Sequence, residues 1–269
     1  MTDAELRRQA LDGPPPVWED LGIDPLDGES LRSIDRHRLE IFSRAILSNR
    51  FGRIAESLPR TTLLLGGRAP ELFEEFCRSH PPENKIHREG LAFATFLNRS
   101  LDDRPEPWYL PDVLAYEAHL LDLRFHFDGD YGAGEAVADP QELLADDGPL
   151  DRLVPRKLRH HRLLELGCDI EALLPILDQG VPPAVVEPET CFLLAHIEPR
   201  GTCGRLVLSS PLVGLYLAVD GEAAAAALPG NTAAWLGAPE LANEAEFRTS
   251  CLAALGELAS RRVVALERG

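Results

Sequence analysis

Residues 204–228 constrain this chain more tightly than any other stretch. They read GRLVLSS, then PLVGLYLAVDG, then EAAAAAL. Leu206 and Leu208 fall at period two, with Arg205, Val207 and Ser209 on the opposite face, which predicts a short strand. Ser209 and Ser210 are capping residues, and Pro211 suits a first helical turn, where no N–H donor is needed. The helix that follows is apolar almost all round, so it belongs inside a core. Gly221 then supplies the chain reversal, since glycine tolerates positive φ.

A length of 269 residues is enough for one large domain or two ordinary ones. With 45% hydrophobic and 26% charged residues, the composition is that of a globular protein. No apolar run is long enough for a membrane span and no signal peptide is seen at the start, so a cytoplasmic chain is expected. The formal charge of −17 argues against a protein built to neutralise phosphates. Residues 191–269 hold eight acidic and six basic side chains, so nearly all the excess lies before them. One reversal stands out: Arg152, Arg156, Lys157, Arg159 and Arg162, with His160 and His161, form a run without an acid. It reads either as a solvated helix face or as a docking surface for an acidic peptide or partner. The five cysteines are odd in number and form no C-x-x-C pair, which points to reduced, mostly buried thiols.

In chain order, residues 1–30 carry Pro14, Pro15 and Pro16 and few aliphatics, predicting an extended arm anchored by Trp18. Residues 31–125 show four helical patterns, divided by Pro59, by Gly66-Gly67, by His80-Pro81-Pro82 and by a polar loop before Trp108. They predict an all-α bundle. Residues 126–183 combine an acidic, glycine-bearing linker, the basic run, and short helices broken by Gly167 and Pro175. Residues 184–269 predict an edge strand at 184–186, a stronger one at 191–197 and the strand at 205–209. After the buried helix come a short helix from Glu222, a loop at 229–239, a last helix over 242–260 and a strand at 263–266. The fold class is α+β, a helical bundle followed by a small sheet-containing module.

Two resemblances accompany this reading. The strand feeding a buried helix that ends in Asp-Gly resembles the peptide-recognition modules of ribosomal-peptide biosynthesis, over about residues 184–267. Those modules are small winged-helix domains that bind a precursor peptide along a sheet edge. Residues 31–125, with RLEIF, FEEFCRSHPP, REGLAFATFL and the YLPD-x-x-x-x-E element at 109–117, are similar to the helical domain of the HvfC/MbnC/TglI partner proteins. In that family the subunit forms a heterodimer with an iron-dependent TIM-barrel enzyme (MbnB/TglH/HvfB-like), and the pair modifies cysteine in a precursor peptide. The resemblance implies a non-catalytic subunit in methanobactin-like, 3-thiaglutamate-like or related biosynthesis, with no cofactor of its own and iron on the partner. In such modules the peptide lies between the third strand and the third helix. That implies peptide contacts from Arg205, Val207 and Ser209, and from Arg248, Leu252 and Leu255. Contacts with the enzyme are expected from Trp18, Trp108, Tyr109 and Asp112.

The residues themselves offer little catalytic chemistry. No Gly-x-Ser-x-Gly elbow, His-Glu-x-x-His helix, Walker loop or dinucleotide fingerprint occurs. His160 and His161 are adjacent and point apart on a helix, while His119 and His126 are poorly spaced to share a metal. A winged-helix DNA-binding regulator is the alternative, but its recognition helix would set Arg248 among Glu244, Glu246 and Glu257. A third reading makes Cys191 or Cys203 a nucleophile with His196 as base. Neither nucleic acid nor membrane is expected as a partner.

Overall fold

Asp35 opens the first helix: its Oδ1 accepts the amides of His37 at 2.9 Å and Arg38 at 3.4 Å, which satisfies two orphan donors. The computed structural model describes residues 24, 33, 35–83, 85–101, 106–126, 152–158, 161–197, 202–261 and 263–268. The chain divides into two compact units, Met1–Leu110 and Pro111–Gly269. The arm with Trp18 and the acidic linker at 127–150 lie outside the described residues.

The first unit holds α1 (Arg36–Ser57), α2 (Pro59–Leu65), α3 (Arg68–Ser79) and α4 (Ile86–Ser100). Pro59 was expected only to end a helix. It also starts α2, where the missing N–H costs nothing. Ile54, Leu58, Phe73, Phe76, Phe93 and Leu97 make the core, each 1% exposed or less. Phe93 meets Phe73 and Phe76 edge-on at 5.4 and 5.3 Å, an arrangement that aromatic quadrupoles favour. An ion pair sits inside this core. Arg50 and Glu89 side chains are 7% and 1% exposed, and Arg50 Nε and Nη2 both donate to Glu89 Oε1, the former at 2.9 Å.

The second unit begins within α5 (Leu110–His126) and continues through β1 (Leu153–Lys157), β2 (His161–Cys168), α6 (Ile170–Leu177), β3 (Pro188–Ile197) and β4 (Cys203–Leu208). After β4 come α7 (Ser210–Ala218), a 3-10 turn (Ala225–Ala227), α8 (Leu228–Trp235), a second 3-10 turn (Pro239–Asn243), α9 (Ala245–Ser260) and β5 (Val264–Arg268). Several expectations change here. The basic run is not a helix face, because 153–157 and 161–168 are strands. Leu164, Leu166 and Cys168 alternate with exposed Glu165 and Gly167, a period of two that overrides leucine's preference for helix. Residues 184–186 form no strand, and Val185 is 73% exposed. Much of the expected loop at 229–239 is α8, which Pro229 opens from its first turn. The alanine run yields only the short 3-10 turn.

β2, β3 and β4 form an antiparallel meander with β3 in the centre. The register places Leu164, Leu193 and Val207 side by side on one face, and Leu163, Leu194 and Leu206 on the other. On the Leu194 face, Leu208 joins Val213, Tyr216, Cys251, Leu255, Leu258 and Leu266 in one core of strands and helices α7 and α9. On the opposite face, Leu123 of α5 packs with Ala195 and Ile197. Among the described strands β1 pairs only with β5, a placement that tolerates Pro155 inside the strand.

Candidate functional site

β4 ends the sheet, and no described strand pairs with its outer side. β3 also overshoots it. Phe192↔Leu208 is the last pair between them, whereas Pro188 and Cys191 have partners only in β2, at Cys168 and Leu166. Where β4 leaves the sheet for α7, a groove of about 650 Å³ opens, lined among others by Asp169, Glu171, Glu189, Cys191, Val207 and Ser209.

The three expected peptide contacts on β4 all lie at this edge. Val207 is 40% exposed and lines the groove. Ser209 occupies the N-cap position of α7, but its hydroxyl makes no capping bond. Arg205 faces the same side and is already engaged: Nε donates to Glu171 Oε1 at 3.1 Å and Nη1 to the Tyr116 hydroxyl at 3.3 Å. The Tyr116 hydrogen bond, opposed by burial and reinforced by Glu171, holds the guanidinium pKa above its ordinary value.

The three positions on α9 lie on the other side of the sheet. Arg248 is exposed and Leu252 half-buried. Leu255 is fully buried in the core with Leu194 and Leu208, so it packs the module and offers no surface to a ligand. Among the residues expected to meet an enzyme partner, Trp108 is 41% exposed, with its ring edge-on to Tyr109 at 5.9 Å. Tyr109 is only 3% exposed and presents no surface. Asp112 Oδ2 accepts the amide of Gly167 at 2.8 Å, clamping α5 to the irregular end of β2. Trp18 lies outside the described residues.

The basic run is largely engaged as well. Arg162 pairs with Asp122 at 3.3 Å, and Arg156 stands 3.9 Å from Glu267. Lys157 Nζ lies 4.6 Å over the Tyr216 ring, where burial lowers the lysine pKa and pushes the Tyr216 phenol up to about 12. Arg159 and His160 lie outside the described residues.

For nucleophilic chemistry the strand register separates the expected partners. Cys191 and Cys203 project from one face of the sheet, while His196, opposite His161, projects from the other. Among the described residues, no three His, Cys, Asp or Glu side chains converge as a metal-ligand group. The groove's acids, Asp169, Glu171 and Glu189, were missed in the sequence. Asp169 has a local signal as the N-cap of α6, its Oδ1 accepting the Ala172 amide at 3.1 Å. Glu171, on the first turn of α6, and Glu189, on β3, reach the groove through long-range packing, which local patterns do not disclose.

A family model described as SCO6045-like, C-terminal domain, matches residues 28–99, within the first unit. No curated protein matches the chain. No helix among the described residues is long and apolar enough to cross a membrane.

Proposed function

We propose that this chain is a non-catalytic partner subunit that binds a ribosomally made precursor peptide and presents its cysteine to a separate iron-dependent TIM-barrel enzyme. The observation that carries the reading is the order of the second unit: a three-stranded meander, then helices α7, α8 and α9, with the third strand left at the edge. An extended peptide completes such an edge with main-chain hydrogen bonds, while side-chain pockets fix its register. The groove beside Val207 and Ser209 is such a pocket. The SCO6045-like match, over residues 28–99, overlaps the stretch that resembles the HvfC/MbnC/TglI helical domain, and so supports treating it as a distinct domain. That domain would serve the enzyme, with methanobactin-like or 3-thiaglutamate-like chemistry on the partner.

The test is calorimetric titration of the full chain with a cysteine-containing precursor peptide sought in its gene neighbourhood, followed by gel filtration with an iron-dependent TIM-barrel enzyme from the same source. One-to-one peptide binding and co-elution are expected. Val207→Asp places a charge where the peptide would bury it, which costs about 2 kcal/mol or more of affinity. Wild-type binding by a folded Val207→Asp variant would overturn edge docking. Cysteine modification by this chain alone, supplied with ferrous iron and oxygen, would overturn the division of labour.

A further inference from the structure

The groove at the β3 overhang carries information about what fills it. Its floor is partly apolar, with Val207 and half-buried Phe192, and β3 offers main-chain groups at residues 189–191 that no described strand takes up on that side. Its walls are acidic. Three carboxylates, Asp169, Glu171 and Glu189, line it, and Glu171 also binds the Arg205 guanidinium at 3.1 Å. Asp169 is held by its cap to α6. Glu189 is exposed and has no cation partner among the described residues. With the chain itself at −17, an acidic ligand meets repulsion both locally and at long range. Arg205 is not free to compensate, so an acidic ligand is disfavoured in this groove.

Resting on the peptide-binding reading above, we propose that this groove takes an extended peptide segment that pairs with β3 at residues 189–191 and sets a lysine or arginine side chain against Glu189 and Glu171. The free edge supplies affinity without regard to sequence, and the carboxylates supply the selection. Glu189 is then a specificity-determining residue: its carboxylate receives the ligand's cation without holding the module together.

A random dodecapeptide library displayed on phage, panned on the immobilised full chain and on an unrelated control protein, tests this directly. The strongest selected peptide is then labelled with fluorescein and its affinity measured by anisotropy for wild type, Glu189→Gln, Glu189→Arg and Val207→Asp, each checked for folding by its melt. Peptides enriched in lysine or arginine are expected. Binding should weaken a few-fold in Glu189→Gln, by about tenfold or more in Glu189→Arg, and further with added salt. Neutral or acidic peptides, or binding unchanged in Glu189→Arg yet lost in Val207→Asp, would overturn the charge selection and leave edge docking standing. No enrichment over the control, or binding indifferent to both positions, would overturn the two together.

Discussion

Gly214 lies beneath the indole of Trp235, where an added Cβ would stand 2.7 Å from Cε3 and 3.3 Å from both Cδ2 and Cζ3. The rigid indole must swing outward as a whole or α7 and α8 must move apart. Overpacking of this kind costs about 1–3 kcal/mol, more than valine recovers in helix propensity over glycine. Gly214→Val should therefore lower the melting temperature of the second unit by several degrees, and Trp235→Ala in the same chain should recover part of the loss. The sequence shows a glycine in an apolar helix without showing why, because its reason is a tryptophan expected in a loop. The buried Arg50–Glu89 pair is similar: neither residue announces its partner. Arg50→Met leaves Glu89, 1% exposed, without its cation. It should destabilise the first unit by about 3–5 kcal/mol in a urea titration, because an uncompensated charge then remains in the core. A loss within error of zero would mean that water reaches the carboxylate.

Among the elements, the helices with one-sided apolar patterns and the strands at β3 and β4 were legible, since period and capping residues agreed. Pro211 was legible as a helix opener, but Pro59 was legible only as a stop and Pro229 and Pro239 only as loop residues. Yet Pro59, Pro211, Pro229 and Pro239 all sit in the first turn of a helix or 3-10 turn, where the lost donor is one the turn does not use. β2 was hidden because the adjacent leucines Leu163 and Leu164 fall on opposite faces and blur the alternation of Leu164, Leu166 and Cys168 with exposed Glu165 and Gly167. Burial within an element also sets thiol chemistry. Burial pushes Cys168, at the end of β2, up to about 12 and Cys77, on α3, up to about 11. At pH 8 a thiol of pKa near 11 is about one part in a thousand thiolate. Ellman's reagent at pH 8 should thus modify half-buried Cys203 on edge strand β4 first and spare Cys77 and Cys168 until the chain is denatured. Early loss of Cys168, followed by peptide mapping, would show that β2 opens in the native state.

For the molecule as a whole, the second unit is not the segment 184–269 that the sequence marked off. Its sheet draws β2 from before that boundary, and α5 covers a face of β3 through Leu123. A fragment of residues 184–269 leaves β3 unpaired along one side and its Leu193 face uncovered. It should aggregate, whereas residues 111–269 should show a cooperative melt by circular dichroism. A folded 184–269 fragment would show that β2 and α5 are dispensable. Local patterns could not mark this boundary, because long-range strand pairing sets it. The pairing of β1 with β5 joins Leu153 to Arg268, across the whole of the β2–β3–β4 sheet and helices α6 to α9 in the chain. Protein synthesis gives that closure a direction in time. The β2–β3–β4 meander can assemble from neighbouring segments as they leave the ribosome, but β1 must wait with an open edge until the final strand emerges. A chain stalled or cut short before β5 therefore displays a bare strand, the surface that chaperones cover and that nascent chains aggregate through.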